Sequence, residues 1–234
     1  RFVAPGGLEF LLNIAAFNIM IQALHSYGRQ VAAAVTITFN WDMVSFVPLI
    51  GINIATMSLV GRHMGAKNPD LAERSAYSGM KLAYSFTGLL VVLFILTPTP
   101  LIRLFAANFD PQDAEVVIPM AATMLRLASI YLLADATFLV FGGALRGAGD
   151  TRWAMWASVT LHWLLAGTGL VTIRVLHLPP LTVWTIFVFM VCLIGSAFYL
   201  RFRNGFWKTI QVVEEPPIEQ LPRPIDGPAL PEML

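Results

Sequence analysis

The chain has 234 residues, of which 57% are hydrophobic and only 12% charged, with a net charge of +1; a soluble domain carries roughly 25% charged residues. That composition excludes an ordinary soluble globule, and with no basic tract it excludes nucleic acid as a partner. The single cysteine, Cys192, lies inside an apolar run and rules out an internal disulfide or a cysteine-based metal cluster. Apolar, nearly charge-free runs of about twenty residues recur, too long for barrel strands, so the expected class is an all-α polytopic membrane protein. The start, Arg1-Phe2-Val3-Ala4-Pro5, has no signal layout, and the chain is expected to belong to a longer polypeptide.

In chain order, the first predicted span covers about Gly7 to Leu24 and carries Glu9 and the amides Asn13, Asn18 and Gln22. The second, about Val31 to Val60, contains Asn40, Asp42, Asn53 and Pro48, which is expected to kink it. After the loop Gly61–Asp70, Asn68 reads as an N-cap and Pro69 as the first residue of the third span, which ends near Pro98 and Pro100. Asp110 with Asp113 three residues on reads as the cap of a fourth span, about Ala114 to Leu145. Asp150 reads as the cap of a fifth, about Trp153 to Val175, and the sixth covers about Leu181 to Tyr199. Residues 1–208 are thus expected to form one six-helix transmembrane unit. Residues 209–234, which hold six of the fifteen prolines and five of the fourteen acids, are expected to form a disordered tail.

Lysine and arginine set the expected orientation. Eleven of the fifteen fall on one side (Arg1, Arg62, Lys67, Arg74, Lys81, Arg146, Arg152, Arg201, Arg203, Lys208, Arg223) against Arg29, Arg103 and Arg174 on the other. The positive-inside rule makes the crowded side, with both termini, cytoplasmic, and the protein a multi-pass plasma (inner) membrane protein.

Asp135 is the most informative residue. At the centre of an apolar helix a carboxylate costs about 2.5–3.5 kcal/mol even on insertion scales, so by default it marks an ion or substrate path. The bland alternative is an interhelical polar contact, worth about 0.6 kcal/mol on average. Asp135 lies ten residues before Leu145, roughly 15 Å from that end of its helix, and Asn13, six residues after Gly7, lies roughly 9 Å in from the same side. With Tyr131 one turn away on the same face, the three form a candidate Na⁺ site, or Asp135 alone a proton site. By the same rise Asp42 and Arg126 both stand about 27–29 Å above the cytoplasmic ends, where they are expected to pair as a structural or gating unit. Glu9, near the inner interface, is expected to be hydrated. No catalytic constellation and no cofactor motif is present in the sequence, and the expected function is not enzymatic.

Two segments carry a family resemblance. Leu59-Val60-Gly61-Arg62-His63-Met64-Gly65-Ala66-Lys67-Asn68-Pro69 resembles the loop after the eighth helix of the multidrug and toxic compound extrusion (MATE) transporters. Ala144-Leu145-Arg146-Gly147-Ala148-Gly149-Asp150-Thr151-Arg152 resembles the loop after their tenth. The resemblance covers roughly residues 5–205. It implies one lobe, helices seven to twelve, of a twelve-helix antiporter that exports amphipathic, often cationic compounds and is driven by Na⁺ or H⁺. It further implies a cation-binding role for Asp135 and Tyr131. Asn13 stands where some Na⁺-coupled members have a glutamate, which leaves proton coupling open. The implied partners are the first six-helix lobe, the bilayer and small-molecule drugs. Two other readings are a lipid-linked-precursor flippase of the same superfamily, which needs clustered cations in its cavity, and a non-transporting membrane scaffold or receptor that docks partners through its acidic tail.

Overall fold

A computed structural model describes residues 3–106 and 109–210. Nearly all of the expected tail lies outside the described residues, as do Arg1 and Arg223 of the charge count. The described chain is helical: α1 (Val3–His25), α2 (Arg29–Gly65), α3 (Pro69–Leu96), α4 (Pro98–Phe105), α5 (Pro111–Gly147), α6 (Thr151–Arg174), α7 (Pro180–Arg203) and a closing 3-10 turn (Phe206–Thr209). Six of these helices, all but α4, are long and apolar enough to cross a membrane, which is the number expected. The short α4 was not foreseen. Pro98 does end the third span, but it then opens a new helix at the first-turn position, where a missing N–H costs nothing. α2 continues across Pro48 and α5 across Pro119.

α5 is the hub. Half of its apolar window is buried within the protein, against 22–39% for the other spans. It packs most extensively on α2, then on α7 and α3, while α1 leans on α6. Alanine and glycine make this possible, because small side chains let helix backbones approach where lipid supplies no hydrophobic drive. A Cβ on Gly143 would stand 2.8 Å from the Asn53 carbonyl oxygen, and one on Gly147 would stand 3.1 Å from the Met57 carbonyl carbon. These two contacts fix the register of α2 against α5 and show that both helices end on the same side of the bundle.

The two turns that follow α2 and α5 are the same device built twice, 82 residues apart in two helices of 37 residues each. Ala66 N–H donates to Arg62 O (3.1 Å), Lys67 N–H to Met64 O (2.9 Å) and Asn68 N–H to His63 O (2.9 Å). Ala148, Gly149 and Asp150 repeat this with Ala144, Arg146 and Leu145 at 2.9, 3.1 and 2.9 Å. This is the Schellman closure, with a left-handed residue just past the helix end: Lys67 at φ 55° and Gly149 at φ 90°. The segments that carry the family resemblance are thus stop signals for the two longest helices.

The caps divide. Asn68 accepts from Leu71 N–H (3.1 Å) and Asp110 from Gln112 N–H (3.3 Å), as expected. Asp113, however, bonds Arg29 and Gln30 at the start of α2 rather than completing a capping box. Asp150 makes no cap bond; its Oδ2 accepts from Arg201 Nε at 2.8 Å. The Arg201 guanidinium lies over the Trp153 and Phe206 rings, 5.2 and 4.5 Å from their centres. Beyond α7, Trp207 is fully buried, stacks on Phe202 with ring centres 4.9 Å apart and donates to Phe202 O at 2.8 Å. Lys208 then bonds Glu73 at 2.6 Å, tying the end of the bundle to α3.

Candidate functional site

An α-helix turns about 100° per residue, so on α5 Tyr131 and Asp135 stand about 40° apart and share a face. That face meets α2. Asn53 lies against Gly143, and eleven residues back from each are Asp42 and Leu132, which sets Asp42 level with Tyr131. Asp42 comes within hydrogen-bonding reach of the Tyr131 phenol, and Asp42 and Asp135 lie within electrostatic range of each other and of Tyr131. Asp42 and Tyr131 are only 7% and 2% exposed, and Asp135 is half-buried. Close as they are, Asp42 Oδ1 and the Tyr131 hydroxyl have no well-formed hydrogen-bond partner.

This corrects the expected pairing of Asp42 with Arg126. Arg126 is exposed, and among the described residues no ion pair joins it to Asp42. The two residues are level only if Val60 and Leu145 are level, whereas the glycine contacts slide α2 by about one turn relative to that alignment. Arg126 also precedes Asp135 by nine residues, or about 900°, and so points to the opposite face of α5. Asn13 finds its hydrogen-bond partner on α6. Its Nδ2 donates to Ser158 Oγ on α6 at 2.8 Å, while its Oδ1 is buried without a partner.

Aromatic rings wall the cluster. Phe187 of α7 meets Tyr131 edge-on at 5.7 Å and Phe39 of α2 at 5.9 Å. Phe39 in turn meets Phe17 of α1 at 5.2 Å and Trp184 of α7 at 5.3 Å. Phe39 lies three residues before Asp42, so both sit on one side of α2. A second polar group, between α1 and α5, sits nearer the helix ends. Glu9, expected to be hydrated, is buried and accepts from Arg146, whose side chain folds back along α5 over Gly142. The sequence reading did not foresee this ion pair or the ring cluster. Charge alone does not single out the pair, since Arg146 is one of eleven basic residues expected on that side of the bundle.

Two carboxylates and a phenol in apolar surroundings are hard oxygen ligands. They suit a desolvated monovalent cation or a proton, and they come from two helices rather than one.

Comparison with known proteins gives a consistent picture. The family model described as MatE matches residues 5–167. The probable multidrug resistance protein NorM of Pasteurella multocida is 28% identical over 161 residues, 69% of this chain and 33% of that protein. The multidrug resistance protein MdtK of Photorhabdus laumondii is 29% identical over 161 residues, with 69% and 34% covered. Among solved structures, a MOP superfamily transporter from Pyrococcus furiosus superposes with a TM-score of 0.77 at 18% identity, over 88% of this chain and 46% of that one. An outward-facing multidrug resistance MATE family transporter gives 0.74 at 18% identity, over 88% and 45%. The chain therefore spans about a third of the length of the curated relatives it matches and just under half of the solved ones.

Proposed function

Since the chain belongs to the MatE family of transporters, we propose that it is the second six-helix lobe of a cation-coupled multidrug antiporter, with both termini cytoplasmic and Asp135 as the acid that takes up the coupling ion. A first lobe of the same architecture completes the central cavity, and the two lobes rock about it to give alternating access. Cation binding at Asp135 favours one arrangement and drug binding the other, and that difference in affinity drives exchange. Exposed apolar side chains along α1 and α2, such as Phe10, Ile14, Val47 and Ile54, offer a cavity wall that tolerates many amphipathic compounds. The observation that carries this reading is the carboxylate of Asp135 deep in the hub helix, beside a buried phenol.

A flippase reading gains nothing from the geometry, because Arg126 faces away from the acid cluster. A scaffold reading leaves the cluster without a use, and it predicts that deleting residues 211–234 abolishes function; the transporter reading predicts that export survives. The decisive experiment uses everted vesicles carrying the complete transporter, wild type or Asp135→Asn. Efflux of a fluorescent cationic dye is driven by a Na⁺ gradient and, separately, by a proton gradient. Asp135→Asn is expected to abolish gradient-driven efflux, and whichever gradient drives the wild type identifies the ion. Wild-type efflux from a normally expressed variant would refute the assignment.

A further inference from the structure

We propose that Asp42 is the second carboxylate of the coupling site, so that the cation is held between α2 and α5 rather than by α5 alone. The inference rests on the antiporter reading above and deepens it. Three observations carry it. The Asp42 carboxyl lies within reach of Tyr131 and within electrostatic range of Asp135. Asp42 Oδ1 and the Tyr131 hydroxyl, on side chains 7% and 2% exposed, have no well-formed partner; buried polar atoms in that state are rare, and a bound ion or water is one thing that satisfies them. Arg126 is exposed and turned away, and it is the Asp42 backbone oxygen, not its carboxyl, that accepts from Ser45 at 2.7 Å.

The electrostatics agree. Two carboxylates within electrostatic range, one of them only 7% exposed, favour a counter-charge between them, because repulsion grows as the local dielectric falls. A single Na⁺ or a proton between the two acids meets that need, and the phenol adds a neutral oxygen. Because one acid rides on each helix, occupancy and the α2–α5 arrangement are linked. A cation draws the two helices together, and its loss leaves like charges that push them apart. Differential affinity of this kind is what a coupling ion needs in order to bias a two-state transporter.

The test uses the complete transporter in proteoliposomes, with Asp42→Asn, Asp42→Glu and Asp135→Asn. Three quantities are read: gradient-driven export, the half-saturating Na⁺ or proton concentration, and substrate counterflow without a gradient, which reports a folded protein that still alternates. Asp42→Asn is expected to lose gradient-driven export and cation dependence while keeping counterflow. Asp42→Glu is expected to export with a shifted half-saturating concentration, and it serves as the test if the asparagine variant does not fold. If Asp42→Asn keeps wild-type export and cation dependence while Asp135→Asn loses both, Asp42 is not part of the site and the antiporter reading stands. If neither substitution affects coupling, both fall. Loss of counterflow in Asp42→Asn without rescue by glutamate would make Asp42 structural and overturn the proposal.

Discussion

Substituting Gly147 with alanine tests the packing that aligns the site. The added Cβ would press on the Met57 carbonyl oxygen and lie 3.1 Å from its carbon and 3.2 Å from Gly61 N. All of these are backbone atoms, so no rotamer change relieves the overlap. Restoring ordinary contact at about 3.5 Å or more, the Met57 carbonyl oxygen included, requires α2 to retreat by roughly 1 Å or more. Overpacking of this kind costs about 1–3 kcal/mol, and the upper part of that range applies because backbone must move. Alanine gives back about 0.5–1 kcal/mol of helix propensity, leaving a net loss of about 2 kcal/mol. Gly88 is the control: a Cβ there meets nothing within 4 Å, so Gly88→Ala should be neutral or slightly stabilising. Thermal unfolding of the purified transporter in detergent, followed by tryptophan fluorescence, compares the two. Gly147→Ala should also weaken coupled export, because the retreat of α2 carries Asp42 away from Tyr131 and Asp135. Wild-type stability in Gly147→Ala, or an equal loss in Gly88→Ala, would refute the claim that this contact sets the register.

Two further outcomes follow from the ends of the helices. Glu9→Gln and Arg146→Gln should each cost about 2–3 kcal/mol, below the roughly 3–5 kcal/mol of a fully buried pair, because Arg146 retains 24% side-chain exposure. Unfolding of the single and double variants should reveal a coupling energy of about 1 kcal/mol, and strict additivity would mean that the pair contributes nothing. Gly149→Ala forces an L-residue into φ 90° and should lower stability by about 1–2 kcal/mol. Asparagine at the same position should lose less, since it tolerates the left-handed region; equal losses would point to space rather than backbone conformation as the cause.

Much of this protein was legible in one dimension. The six spans followed from apolar runs, because in lipid every backbone polar group must be satisfied within a helix. The starts of α3 and α5 followed from Asn68-Pro69 and Asp110-Pro111, because capping is local chemistry that needs no partner helix. Asp135 and Tyr131 were found as a pair because four residues on one helix share a face whatever surrounds them. The family resemblance lay in the two stop turns, whose hydrogen bonds close within about six residues.

What failed depended on the relation between helices. Asp42 was matched to Arg126 by counting heights from helix ends, but register is set where backbones touch, at Gly143 and Gly147, and no sequence spacing states which glycine meets which carbonyl. Depth alone puts Asn13 near the level of Asp135, but it does not reveal that Ser158 of α6 takes its amide. Glu9 was read as hydrated because a single sequence cannot show that Arg146 folds back along its own helix to meet it. Asp150 and Asp113 look like caps in sequence and were drawn to Arg201 and Arg29 by charges on other helices. The sequence by itself determined which residues cross the membrane, where each helix stops and which acid lies deep. Only the tertiary structure decided which second acid faces it, because that depends on a sub-ångström fit between two helix backbones rather than on the periodicity of either one.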